Sequence, residues 1–145
     1  MKLDSITLSS VLSEIKNNYL PSKIVEVKQI SKYEISFALK NKQILRNLFI
    51  SIRPDRMAFF IKESFFSEDN FPSLFLKQLK SWIEGGMLTD AQHYDFDRFI
   101  KLSIEPYNRF GKIKKYQLLI EFMGKHSNIV LIDDEEIIKA PLKQV

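Results

Sequence analysis

Apolar residues near the start of the chain recur at three- and four-residue steps. Leu8, Val11, Leu12, Ile15 and Tyr19 share one stripe, and Ser9, Ser13, Lys16 and Asn17 fall outside it. That period predicts an amphipathic helix over residues 5–20. Asp4 or Ser5 suits its N-cap, and Pro21 closes it. The period then drops to two. Residues 24–30 alternate, and in residues 33–39 Tyr33, Ile35, Phe37 and Leu39 share one side. Strands follow at 44–52 and 57–62, separated by turns at Asn41-Lys42 and Arg53-Pro54-Asp55-Arg56. The spacing predicts an antiparallel meander.

A helical period returns in SEDNFPSLFLKQLKSWIEGGM. Leu76, Leu79 and Ile83 form a stripe that Phe75 and Trp82 widen. Pro72 suits the first helical turn, and Gly85-Gly86 can supply a left-handed stop. Five more strands are predicted near 88–95, 98–105, 113–122, 128–133 and 136–140. Turns fall at Pro106 to Gly111, at Gly124-Lys125-His126-Ser127 and at Asp133-Asp134. The chain thus reads as helix and four strands, then helix and about five strands, with no internal repeat. Two sheets packed face to face would bury these apolar faces, so the expected class is α+β: an antiparallel β-sandwich with two flanking helices.

Composition narrows the function more than the fold. The 145 residues fit one domain, residues 1–145, and 12 phenylalanines supply core volume. With no cysteine, disulfides, thiolate zinc sites, iron–sulfur ligation and thiol nucleophiles are excluded. The two histidines, His93 and His126, have no metal-ligand spacing, so no metal or other cofactor is expected. GxSxG and P-loop patterns are absent. The first residues carry Asp4 and Glu14 and do not resemble a secretion signal. No stretch is long and apolar enough for a membrane span, so the expectation is a soluble cytoplasmic protein. Net charge is +4, a mild bias toward polyanions.

Three places invite chemistry. The run Gly124-Lys125-His126-Ser127-Asn128 interrupts two apolar segments. It reads as a hairpin turn, with Gly124 at positive φ and Ser127 or Asn128 bonding nearby backbone. The alternative reading is a cluster of donors for a phosphate–sugar backbone. Arg98 shares parity with Phe96, Ile100, Leu102 and Ile104, which aims a guanidinium toward the core side of its strand. Such a charge needs a partner. That partner is either an acid such as Asp95 or Glu84, or a phosphate or base edge with Asp97 orienting the arginine. Finally, Arg109, Lys112, Lys114 and Lys115 interleave with Tyr107, Phe110 and Tyr116, a pattern that can track a nucleic-acid backbone or simply be a solvated loop. Lys40 with Lys42 and Arg53 with Arg56 are weaker versions.

The phrases IEGGM, FDRFIKLSIE and LLIEFMGKHSNIVLIDD resemble the N-terminal domain of the NFACT (RqcH/NEMF) family, whose members also go by the name fibronectin-binding proteins. The likeness runs along essentially the whole chain. It implies a fold similar to the N-terminal domain of formamidopyrimidine-DNA glycosylase and a first portion of a longer protein. It implies a ribosome-associated quality control factor. Such factors bind the large ribosomal subunit holding peptidyl-tRNA and recruit tRNA, alanyl-tRNA in bacteria, for untemplated tailing of the stalled chain. The family's tRNA-binding Asp-Arg pair falls on Asp97 and Arg98; its Glu-Gly-Gly falls on Glu84, Gly85 and Gly86; its Gly-Lys-His-Ser-Asn falls on Gly124 to Asn128. Met87 stands where members usually carry a basic residue. The glycosylase imino nucleophile has no counterpart, because Met1 precedes Lys2 and Leu3. The expectation is therefore a non-enzymatic tRNA- and ribosome-binding module. Its alternatives are a fibronectin-binding surface adhesin and a glycosylase-fold nucleic-acid binder without catalysis.

Overall fold

A computed structural model of the chain describes residues 5–64, 71–94, 98–107 and 115–144. The first helix, α1, spans Ser5–Asn18, and its Leu8, Leu12 and Ile15 are buried on one face. Four strands follow: β1 (Ser22–Ser31), β2 (Glu34–Asn41), β3 (Ile44–Arg53) and β4 (Arg56–Lys62). Helix α2 spans Leu74–Ile83. Then come β5 (Met87–His93), β6 (Phe99–Glu105), β7 (Tyr116–Glu121), a short 3-10 turn at Gly124–His126, β8 (Asn128–Ile132) and β9 (Ile138–Pro141).

The α+β class with an antiparallel sheet and two helices is the one expected. The nine strands hydrogen-bond in the order β4-β3-β2-β1-β5-β6-β7-β8-β9, each pair antiparallel. The two blocks are joined rather than separate: β1 pairs with β5 at Ser22–Leu88 and Lys23–Met87. Beyond that short seam the sheet folds over on itself. Phe59 of β4 meets Phe122, just after β7, with ring centroids 6.3 Å apart in an edge arrangement. Helix α1 packs on β5 and β4, and α2 packs on β1 and β9. Each helix therefore straddles both halves. One hydrophobic cluster runs through helices and strands alike.

Helix α2 departs from its expected start. Pro72 precedes the cap rather than entering the first turn; Ser73 is the N-cap, and its hydroxyl accepts from Leu76 N at 2.9 Å. A hydroxyl satisfies an otherwise orphan helix donor, which proline cannot do. Phe75, Leu76, Leu79 and Ile83 form the buried face. Trp82 flanks it, 5.6 Å from the Tyr116 ring and with Lys139 Nζ 5.3 Å above it. Gly85 follows at φ +89, the left-handed stop expected there.

Candidate nucleic-acid interface

Arg98 stands directly before β6. Its carbonyl accepts from Phe122 N at 2.8 Å, which fixes it beside the loop that leaves β7. Ile100, Leu102 and Ile104 are buried on the parity the sequence indicated, and Arg98 itself is half-buried where that row reaches the rim. Tyr94 flanks the same corner, its ring 5.3 Å from Phe99. Asp97, with Asp95 and Phe96, lies outside the described residues. Glu84, a possible acid for Arg98, bonds instead with Lys80 Nζ at 2.9 Å.

The loop after β7 divides into a structural half and an exposed half. Gly124 takes φ +60, as a turn glycine does. Ser127 is fully buried, and its hydroxyl accepts from Met123 N at 2.6 Å and lies 3.6 Å from Met57 Sδ. Asn128 Oδ1 accepts from Ile129 N and Lys143 N, both at 2.9 Å, and its Nδ2 donates to Lys143 O at 3.2 Å. Ser127 and Asn128, expected as possible RNA-backbone contacts, thus make their side-chain hydrogen bonds within the fold. Ser127 has no surface, and the Asn128 amide ties β8 to the segment after β9. Lys125 and His126 are exposed, as is Met123 before them.

Glu84, Gly85 and Gly86 stitch α2 to the sheet. Gly85 N donates to Ile24 O and Ile24 N donates to Gly86 O, each at 2.8 Å. A Cβ on Gly86 would stand 2.7 Å from Glu105 O and 2.9 Å from Pro106 Cα. Close approach of three backbone segments dictates glycine there.

Arg98 and Lys115 lie at opposite ends of the β6–β7 hairpin, because Arg98 faces Phe122 while Ile104 faces Tyr116. At roughly 3.3 Å per residue, the strand between them spans about 20 Å. One small ligand cannot touch both. Lys115 is exposed, and so is Tyr107; Arg109, Phe110, Lys112 and Lys114 lie outside the described residues.

Other cations gather near Lys125. Lys143 Nζ donates to Lys125 O at 3.2 Å and lies 5.0 Å from the Tyr33 ring centroid. Lys32 Nζ lies 5.4 Å from the same centroid. Arg53 forms a two-point pair with Asp55 at 3.2 and 2.9 Å. That hydrogen bond holds the Asp55 carboxyl below its usual pKa. Neither Lys32 nor Lys143 stood out in the sequence, since their meeting depends on the folded sheet. Among the described residues no group of three or more His, Asp or Glu could hold a metal, and no helix is long and apolar enough to cross a membrane.

Comparison with known proteins points one way. The family model for NFACT N-terminal and middle domains matches residues 4–145. The Rqc2 homolog RqcH of Bacillus subtilis (strain 168) is 26% identical over 136 residues, 94% of this chain and 24% of that protein. Its counterpart from Streptococcus pneumoniae (strain D39) is 24% identical over 133 residues, 92% of this chain and 24% of that protein. The chain thus spans about a quarter of the length of these curated relatives. Among solved structures, the N-terminal part of the fibronectin/fibrinogen-binding protein from Streptococcus suis superposes with a TM-score of 0.91 at 25% identity, covering 99% of this chain and 54% of that one. The N-terminal domain of the fibronectin-binding protein PavA from Streptococcus pneumoniae gives 0.88 at 23% identity, covering 97% and 53%, and so shares the fold.

Proposed function

The chain belongs to the family of NFACT N-terminal and middle domains, and on that premise we propose that it is the RNA-binding module of a ribosome quality control factor. In this reading it engages tRNA, alanyl-tRNA in a bacterial host, and the large ribosomal subunit blocked by peptidyl-tRNA. The factor it serves adds an untemplated tail to the stalled chain, and works in the cytoplasm on ribosomes. The module itself binds and does no covalent chemistry. The carrying observation is the place of Arg98: a half-buried arginine whose main chain is bonded to Phe122 at the sheet rim, beside a loop that exposes Lys125 and His126. Pre-positioned cations at a rim suit phosphates and base edges. Asp97 then orients Arg98. Lys115, with Arg109, Lys112 and Lys114, serves a second stretch of RNA backbone at the far end of the hairpin.

The test is Arg98→Ala with tRNA binding measured by fluorescence anisotropy over a salt series. The expected result is weaker binding and a log–log salt slope shallower by about one unit, with the melting temperature unchanged. Unaltered binding by a folded variant removes Arg98 from the interface. A second reading, fibronectin binding, draws on the name of the Streptococcus suis neighbour. Saturable binding of fibronectin that survives Arg98→Ala, with no tRNA binding at low salt, would favour it.

A further inference from the structure

Two lysines far apart in the chain converge on one aromatic ring. Lys32 Nζ and Lys143 Nζ lie 5.4 and 5.0 Å from the centroid of Tyr33. Among the described residues neither ammonium has a carboxylate within ion-pair distance. The nearby acid, Glu34, is buried, accepts from Ser31 Oγ at 2.6 Å and faces Arg53 at 3.8 Å. The face of the ring attracts both cations without neutralising either. Two like charges beside one ring favour an anion at that place.

Lys32 also walls a cleft of about 180 Å³ with Gln29, Phe71, Ser73, Gln78 and Leu142. A cavity near 150 Å³ holds a benzene ring, so this one admits a single nucleobase and excludes a duplex. Its floor is set. Gln29 is buried, its amide nitrogen donates to Lys32 O at 3.2 Å, and its carbonyl oxygen accepts from the Ser73 hydroxyl. Phe71 N in turn donates to Gln29 O at 2.7 Å. The walls offer the amides of Gln78 and Gln144, and the Phe71 ring is exposed on the side of the cleft. Amide edges, an aromatic surface and a lysine beside a small cleft match the parts of one nucleotide.

We propose that Lys32, Tyr33 and Lys143, with the cleft beside Lys32, bind one unpaired nucleotide of single-stranded RNA. The phosphate sits at the two ammoniums and the base enters the cleft. This rests on the RNA-binding reading above but uses other residues than Arg98. The ligand is a nucleoside phosphate within a strand; a free nucleotide would present the same groups without neighbouring phosphates.

The isotope-labelled chain is titrated by NMR with three probes: a short mixed-sequence single-stranded RNA, an RNA duplex and a nucleoside monophosphate. Single-stranded RNA is expected to shift the amides of Lys32, Tyr33 and Phe71 most. Lys32→Gln with Lys143→Gln should weaken its binding roughly tenfold and flatten the log–log salt slope by about 0.7 units, one single-strand phosphate contact. Gln78→Ala, at the cleft wall, should weaken single-stranded RNA while leaving that slope unchanged. Shifts confined to Arg98 and Phe122 overturn the pocket and leave the proposed function standing. Silence at both places overturns both. Duplex binding at Lys32 and Tyr33 as tight as single-strand binding overturns the pocket in favour of a plain polyanion surface. Equal affinity for the monophosphate overturns the RNA assignment in favour of a free-nucleotide site.

Discussion

Glu84 Oε2 accepts the main-chain N–H of Val27 at 2.9 Å, across 57 residues of sequence. Val27 sits opposite Phe37 in the β1–β2 ladder, but β5 pairs with β1 only at Ser22 and Lys23, so no described strand lines the other side of Val27. A side chain from the end of α2 therefore serves as a rung of the sheet. Lys80 holds the same oxygen from the other side.

Glu84→Ala should destabilise the fold by about 1–3 kcal/mol, since a strand N–H loses its acceptor. Glu84→Gln keeps an acceptor and should lose less, chiefly the half-exposed Lys80 pair, worth about 0.3–0.5 kcal/mol. Urea unfolding followed by emission of Trp82 compares them. Equal midpoints for wild type and Glu84→Ala would contradict this role.

Gly86→Ala and Gly85→Ala should separate two reasons for glycine. At Gly86 the added carbon meets the backbone of Glu105 and Pro106. Those atoms cannot yield without moving β6, so the loss should be several kcal/mol, of the order seen for overpacked cores or more. At Gly85 there is open space and only the φ of +89 resists. There the loss should be about 1 kcal/mol. Thermal melts of both variants decide the order.

Ser127→Ala should cost about 1 kcal/mol, because the part-buried N–H of Met123 loses the hydroxyl that accepts it. Lys125→Ala and His126→Ala alter exposed side chains and should stay within about 0.5 kcal/mol of wild type. If RNA contacts sit at this loop, the ranking for RNA affinity is the reverse. Denaturation and binding measured on the same three proteins check both halves of the claim.

Asp133 links stability to acid. Its carboxylate accepts from Ile137 N and Glu135 N, each at 2.9 Å, and faces Lys139 at 3.5 Å. The Ile137 bond first, and then the Glu135 bond and Lys139, hold its carboxyl below the ordinary aspartate range against the opposing effect of burial. A depressed folded pKa contributes stability above the unfolded pKa and loses it as pH falls through the folded one. Wild type should therefore lose melting temperature from about pH 4 downward. Asp133→Asn should lose less over that window. Parallel pH–melting curves would sink the assignment.

Element types were legible because each apolar stripe had one period over its full length. Leu8, Leu12 and Ile15 announced α1, and Ile100, Leu102 and Ile104 announced the buried face of β6. The β1–β5 seam was not legible. Two residue pairs of backbone bonding leave no side-chain pattern to read. At the candidate site the turn glycine, Gly124, could be read from its neighbours, but the burial of Ser127 could not. A hydroxyl looks the same in sequence whether it faces water or Met123 N. The meeting of Lys32 and Lys143 at Tyr33 was hidden for the same reason: it exists only after the sheet has closed over itself.

Because α2 rests on both β1 and β9, the order of synthesis matters. When β4 leaves the ribosome, the inner faces of the first four strands still lack the surfaces that will cover them. β9 is made after the other eight described strands. The nascent domain must hold its greasy sheet open to solvent and to chaperones until that strand has been made.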